Sequence, residues 1–231
     1  MKKNDIKILK PFKGLIHLVF PDQYSLASTF IRFQEYYESK NDKLRGHYFT
    51  LDEVMDDCVE TCGKMDYFDW NGFNIPGEVF DSAYDTFYKH GLREKEKILV
   101  ELVSGYELFL EGIRIPFTKY YVIGTHVKSD ETKHETAHAL YYLDVDYKNM
   151  VDLFLMQIEP KNKSPLIKWL LNKGYDLTVV NDEIHAYLMD ALTGYKEWVD
   201  FLKEPQIKLV AENLTILFKE RLAQHESDSS L

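Results

Sequence analysis

The spacing of hydrophobic and polar positions predicts extended segments in the first half of the chain and an almost wholly helical second half. In the first half, the pattern predicts strands over 6–9 and 15–20, helices over 22–39, 50–62 and 92–103, and a hairpin of strands at 106–110 and 119–123. Gly112 and Pro116 would form the turn of that hairpin. Residues 64–92 are rich in aromatic and turn residues, which favours loop and short helix.

After Gly124 the apolar positions recur at helical spacing to the end of the chain. The pattern predicts a short polar tail at 224–231, which we expect to be disordered. The predicted helices cover 131–143, 146–158, 164–173, 181–193, 195–203 and 205–223. We therefore expect an α+β fold, with a small N-terminal sheet and a predominantly helical C-terminal half, forming a single domain over residues 1–231.

Composition narrows the classes of function. The chain is 45% hydrophobic and 14% aromatic, which supplies enough apolar material for a sizeable core. Its net charge of -10 opposes binding to nucleic acid or to an anionic membrane, so neither is expected as a partner. Two cysteines, Cys58 and Cys62, are too few for a disulfide framework. Without a signal-like or membrane-spanning apolar run, the sequence favours a cytoplasmic protein.

One short motif carries recognisable chemistry. Residues 134–138 read His-Glu-Thr-Ala-His on a predicted helix. Two imidazoles four residues apart lie about 40° apart around a helix, with Cβ atoms roughly 5–6 Å from each other. Both rings can therefore reach one Zn²⁺ at about 2.0–2.1 Å. Glu135 lies about 100° round the helix from His134, beside the position of a metal-bound water, and is the candidate general base.

This segment resembles the signature of the zincin metallopeptidases. The resemblance implies a zinc cofactor, a peptide or protein substrate and a zincin-like helix at the metal site. The extended segment at 119–123 lies just upstream, where it could run beside a cleft and hold a peptide by strand addition.

A catalytic zinc site needs a third protein ligand and one open position. Metzincin-type enzymes continue the motif as His-x-x-Gly-x-x-His; here Tyr141 replaces the glycine and Asp144 stands at the last position. Asp144 is also an ordinary residue for the end of a helix. In gluzincin-type enzymes the ligand is a Glu on a later helix, which points to Glu183, although acidic residues are favoured in the first turn of any helix. His185 is a weaker candidate on a different side of that helix.

The segment around Glu183 carries a second resemblance. The pattern Glu183-x-x-Ala186 resembles the second motif of small intracellular ImmA/IrrE-type metallopeptidases, in which the Glu ligates zinc and the Ala allows close helix packing. The spacing between the two motifs is longer in this chain. His134, His138 and Glu183 are therefore the expected zinc ligands, with Asp144 as the alternative third ligand.

Three further residues are candidates for supporting roles. Tyr187 lies four residues after Glu183, on the same helix face, where a phenol could donate to an oxyanion. Tyr141 competes for that role, and His126 precedes the motif in a predicted loop. The alternative for Tyr187 and Tyr141 is an ordinary aromatic residue of the core, and the alternative for His126 is an ordinary loop residue.

Together these features predict a zinc-dependent hydrolase, most simply a peptidase with Glu135 and Tyr187 as catalytic residues. The first alternative is a zinc protein that binds a partner without cleaving it. The second is an interaction protein without a metal, in which the aromatic-rich segment 64–92 forms the partner surface.

Overall fold

The computed structural model describes residues 2–62, 70–104, 108–110, 113–115, 119–173, 175–193 and 195–228. It has the predicted α+β architecture, with a small mixed sheet in the N-terminal half and a helical C-terminal half. The chain forms two compact units, residues 1–132 and 133–231, which are described separately. The expectation of a single domain stays a prediction.

The first unit contains all the strands that the structure describes. A four-stranded sheet has the order β1-β2-β6-β3, in which only the β2–β6 pair is parallel, and β4 and β5 form a separate antiparallel pair. The strands are β1 (Lys7–Leu9), β2 (Leu15–Phe20), β3 (Gly72–Pro76), β4 (Leu108–Leu110), β5 (Ile113–Ile115) and β6 (Tyr121–His126).

Strand β6 occupies an internal position in this sheet. It pairs with β2, where Leu15 lies opposite Tyr121, and with β3, where Phe73 lies opposite Gly124. Its first five residues are buried, as expected of a strand with neighbours on both sides. Strand addition needs an unpaired edge, so the expectation that the extended segment at 119–123 holds a peptide in this way is wrong.

Four helices complete the first unit: α1 (Gln23–Glu38), α2 (Leu51–Cys62), α3 (Gly77–His90) and α4 (Glu94–Ser104). Helix α1 begins after Asp22, whose carboxylate accepts a hydrogen bond from the Ser25 N–H at 2.7 Å. Helix α2 begins with a capping box. The Thr50 N–H donates to the Glu53 carboxylate at 2.7 Å, and the Glu53 N–H donates to the Thr50 hydroxyl at 3.3 Å. Both helix starts agree with the sequence prediction.

Phenylalanine rings join α1 to the sheet. Phe30 stacks on Phe73 with ring centroids 5.3 Å apart. Gly124 permits this close approach, because a Cβ atom there would lie 2.7 Å from Phe30 and 2.9 Å from Leu26. The core of the first unit is thus built from aromatic and aliphatic side chains of α1 packed on β6 and β3.

Two predictions for this unit differ from the structure. Where loop and short helix were expected, residues 72–90 form the strand β3 and the 14-residue helix α3, because the aromatic residues Phe73, Phe80 and Phe87 are buried in the core. In the described part of the chain, these rings therefore do not form the partner surface expected for segment 64–92. Strand β4 pairs with β5 rather than with segment 119–123. Residues 63–69, Gly112, Pro116 and the side chain of Cys62 lie outside the described residues.

The second unit is helical throughout its described residues. Its helices are α5 (Thr132–Leu143), α6 (Val145–Met156), α7 (Pro160–Lys173), α8 (Val180–Ala191), α9 (Lys196–Val199) and α10 (Pro205–Asp228). Helix α7 begins four residues earlier than predicted. Helix α10 continues to Asp228, so residues 224–228 of the expected disordered tail are helical. Helix α8 packs against α6, α7, α9 and α10, which makes it the central helix of the unit.

Candidate metal centre

Helix α5 carries the His-Glu-Thr-Ala-His motif on a buried face. His134, Glu135 and His138 are only 7%, 5% and 1% exposed. The two imidazoles lie with ring centroids 4.8 Å apart, and their Nε2 atoms are 3.1 Å from each other. The i, i+4 spacing therefore directs both Nε2 atoms to one point, as the sequence predicts.

Helix α8 brings a third ligand to the same point. Glu183, 4% exposed, places Oε1 at 3.8 Å from the Nε2 atom of His138. One ligand atom from each of His134, His138 and Glu183 lies within 4.8 Å of the other two. The structure thus brings together the three residues that the sequence proposes as zinc ligands, although 45 residues separate His138 from Glu183.

The separations within this group fit a metal ion. Ligands held tetrahedrally at about 2.0–2.1 Å from Zn²⁺ lie roughly 3.3–3.4 Å apart. The observed separations of 3.1 and 3.8 Å lie on either side of that value. The second carboxylate oxygen of Glu183 is buried without a hydrogen-bond partner among the described residues. A buried carboxylate oxygen in this state is what a cation would satisfy.

Two aspartates of α8 orient the imidazoles. Asp190 lies 2.7 Å from Nδ1 of His134, and Asp182 lies 2.8 Å from Nδ1 of His138. An ionised carboxylate can only accept, so each Nδ1 carries the hydrogen, and in the neutral form that binds a metal each ring would offer its Nε2 lone pair to the ion. Carboxylates in this position fix the tautomer and ring orientation of metal-binding histidines.

The sequence analysis missed both aspartates. A signal existed for Asp190, which follows Glu183 by seven residues and so lies two turns further along the same helix face. Asp182 offered no such signal, since acidic residues in the first turn of a helix are ordinary.

The charges of this cluster shift the pKa values of its members. Burial raises the pKa of Glu183 to about 7, against the attraction of the two histidines. Burial alone would lower the pKa values of His134 and His138, but hydrogen bonds and attraction from Asp190, Asp182 and nearby glutamates outweigh it, so both are raised. The site therefore favours positive charge at the imidazoles, which a divalent cation would also provide.

Glu135 is buried beside both histidines. It follows His134 directly on the buried face of α5, and the attraction of its carboxylate contributes to raising the pKa of His134 and of His138. This position agrees with the role of a base beside a metal-bound water.

The ring of Tyr187 packs edge-on against His134, with centroids 4.8 Å apart. Its other side stacks on Trp198 at 5.0 Å, and its hydroxyl lies 2.8 Å from the Tyr175 hydroxyl. The ring of Tyr187 thus borders the centre on the His134 side, and the oxyanion role of its hydroxyl stays a prediction.

Tyr141, the alternative oxyanion donor, forms its hydrogen bonds with residues outside the proposed ligand group. The Tyr141 hydroxyl donates to Asp152 at 2.9 Å and accepts from Lys148 at 2.9 Å. Its ring stacks on His185 with centroids 5.1 Å apart. Burial raises the pKa of Tyr141 to about 12. This hydroxyl belongs to a polar network between α5 and α6.

Asp144 stands apart from the three proposed ligands. It caps α6 by accepting from the backbone N–H groups of Asp146 and Tyr147 at 3.0 Å. Arg221 binds both of its oxygens, at 2.7 and 2.9 Å, and His225 approaches at 2.8 Å. Burial opposes ionisation, but these bonds hold the pKa of Asp144 well below its usual range. The alternative third ligand is therefore a helix cap and ion-pair partner, as its position at a helix end allows.

Two other candidate histidines are placed differently from the proposed ligands. His126 ends β6 in the first unit, where Nδ1 accepts from the Lys128 N–H at 3.3 Å. His185 is fully buried, and its ring centroid lies 6.1 Å from that of His138. Burial lowers the pKa of His185 to about 4, so its ring is neutral.

Comparison with protein-family models, curated proteins and solved structures finds no match for this chain. The candidate centre therefore rests on its own geometry. No helix in the described ranges is long and apolar enough to cross a membrane.

Proposed function

We propose that this protein is a zinc-dependent hydrolase, and that its substrate is a peptide or protein. The observation that carries the proposal is the buried group of His134, His138 and Glu183, in which an aspartate orients each imidazole. Such oriented imidazoles and a carboxylate on two packed helices are typical of zinc sites in hydrolases. The scarcity of cysteine favours action in the reducing cytoplasm.

Each residue of the centre has a proposed task. His134, His138 and Glu183 would hold the zinc ion, and Asp190 and Asp182, each accepting a hydrogen bond from an Nδ1 atom, would orient the two imidazoles so that their Nε2 atoms face the metal. When bound, zinc would lower the pKa of a coordinated water to about 7 and would polarise the scissile carbonyl. Glu135 accepts the proton released from the attacking water and returns it to the leaving amine. Tyr187 is the proposed hydrogen-bond donor to the oxyanion.

One observation favours a second candidate function. The Tyr187 hydroxyl is already hydrogen-bonded to the Tyr175 hydroxyl. The Tyr141 hydroxyl is already hydrogen-bonded to Lys148 and Asp152. An oxyanion donor would have to leave such a partner during the reaction. A zinc protein that binds a partner without cleaving it needs no such donor, and it is the alternative to a peptidase.

Metal analysis and hydrolysis assays separate these functions. Mass spectrometry of the purified protein should find about one zinc per chain in the wild type and in Asp144→Asn, and almost none in His134→Ala or Glu183→Gln. Zinc retained in Glu183→Gln but lost in Asp144→Asn would contradict the ligand set. A peptide library then tests turnover, with Glu135→Gln as the inactive control. Zinc binding without turnover of any peptide would favour the second candidate.

A further inference from the structure

His185 is a buried polar residue for which the proposed reaction has no use. Its ring is fully enclosed, and neither ring nitrogen has a hydrogen-bond partner among the described residues. Tyr141 covers one face at 5.1 Å, and Tyr147 meets the ring edge-on at 5.8 Å. An apolar ring would fill this space without burying two polar atoms, so the imidazole calls for an explanation beyond packing.

The polar groups closest to this ring belong to Asp182. The Nδ1 atom of His185 lies 3.4 Å from Oδ1 of Asp182. That carboxylate oxygen is the one that binds Nδ1 of His138 at 2.8 Å. A single oxygen atom thus lies between His185 and a proposed zinc ligand.

We propose that His185 is a positioning residue that acts on the metal centre through Asp182. With its hydrogen on Nδ1, the neutral ring attracts the Asp182 carboxylate from 3.4 Å without forming a full hydrogen bond, and this attraction holds the carboxylate in the orientation that His138 requires. The chain of contacts runs from His185 to Asp182, to His138 and to the metal. Asp190, which orients His134, has no corresponding histidine among the described residues. This inference rests on the proposed zinc site.

Two substitutions at one position test this role. His185→Phe keeps the ring and removes the donor, whereas His185→Asn keeps an N–H donor at the δ position. We expect His185→Phe to weaken zinc binding about tenfold or more, as changes behind a metal ligand do, without making the metal-free protein less stable. His185→Asn should restore binding to near the wild-type value. Tyr147→Phe is the matched control, because Tyr147 touches the ring from another side.

Zinc affinity is measured by competition with a chromophoric chelator, and stability by denaturant unfolding in EDTA. If His185 acts through Asp182, His185→Phe causes no further loss of affinity in an Asp182→Asn background. Unchanged affinity in His185→Phe, or an equal loss in both backgrounds, would overturn this inference and leave the zinc site standing. A folded wild-type protein that binds no zinc would overturn both the proposed function and the inference.

Discussion

Each unit of this protein buries a neutral histidine, and the two residues differ in what surrounds them. Burial lowers the pKa of His17, in the first unit, and of His185, in the second, to about 4. His17 lies on β2 and bonds the Thr125 hydroxyl of the paired strand β6 at 2.8 Å. His185 has no such bond and lies against the carboxylate that orients His138. In the first unit, a hydrogen bond within the sheet satisfies the His17 imidazole. In the second unit, the His185 imidazole lies against a residue of the candidate site.

Buried charge shows the same contrast. In the first unit Arg32 lies 3.4 Å from Glu96, and opposite charges compensate each other. In the second unit Glu135 and Glu183 are buried around two imidazoles, and Asp182 and Asp190 adjoin them with side chains only 21% and 15% exposed. Positive charge at this point, from protonated imidazoles or from a bound cation, would compensate these carboxylates. The first unit also buries the carboxyl group of Glu35, whose pKa burial raises, so the gathering of several carboxylates around two imidazoles, rather than burial of charge, distinguishes the candidate site.

The largest effect is expected at Glu135. Glu135→Gln removes the proposed base while keeping the shape of the side chain, so kcat/KM should fall by about 10²–10⁴-fold with zinc content unchanged. Steady-state kinetics on a peptide found by library screening, together with metal analysis, measures both quantities. Glu220→Gln, on an exposed position of α10, is the control. Turnover of Glu135→Gln at the wild-type rate would exclude Glu135 as the base.

Breaking the buried ion pair of the first unit should affect stability alone. Arg32→Met leaves the buried Glu96 carboxylate with the half-buried Arg93 in place of two arginines, and should lower the free energy of unfolding by about 3 kcal/mol. Adding Glu96→Gln should restore most of the loss, because the glutamine can still accept the Arg93 N–H bond. Denaturant unfolding measures the change. Zinc content should stay at the wild-type level. A loss of zinc would contradict the expectation that this ion pair affects stability alone.

The buried histidine of the first unit predicts a dependence of stability on pH. His17 has a folded pKa of about 4 against an ordinary value of 6.5, so the unfolded chain binds more protons between these values. Its contribution to stability, on the order of 3 kcal/mol, is present above pH 6.5 and is lost as the pH falls toward 4. Thermal unfolding in EDTA should show a shallower decline for His17→Gln than for the wild type. Equal slopes would contradict this assignment.

The orienting aspartates should affect zinc affinity without removing a ligand. Asp182→Asn and Asp190→Asn should each weaken zinc binding by about 10–100-fold. Asp152→Asn is the matched control, since Asp152 lies on a neighbouring helix and binds Lys148 and Tyr141 instead. Chelator competition measures the affinities. A similar loss in all three variants would indicate a general structural effect rather than orientation of the imidazoles.

The smallest effect is expected at Asp144. Asp144→Asn weakens the bonds from Arg221 and His225 while keeping a helix-capping side chain, so unfolding should become easier by about 1–2 kcal/mol. Because the pKa of Asp144 is lowered, its stabilisation is present at neutral pH and is lost as acid protonates it. Unfolding at pH 7 and under acidic conditions measures this. Zinc affinity should not change, and a loss would return Asp144 to the set of possible ligands.

Local patterns account for the parts of the structure that were predicted well. The capping box of Thr50 and Glu53 and the helix that carries His134 and His138 follow from spacings within one or two turns. In segment 72–90 a short helix was expected but strand β3 was not, because the aromatic residues there are compatible with either loop or core, and packing against α1 and the sheet decided the outcome. Propensity is a weak guide where tertiary contacts determine the structure.

The sequence alone was enough to predict that two imidazoles share one helix face, because an α-helix places positions i and i+4 side by side whatever surrounds it. It also determined the α+β class through the change in hydrophobic period near Gly124. The folding of the second unit places Glu183, rather than Asp144, beside His134 and His138, and no local pattern predicts this choice. This folding also brings Asp182, Asp190 and His185 to the same centre. These contacts join residues more than 40 positions apart, and the packing of α8 against α5 depends on the whole unit rather than on any local pattern.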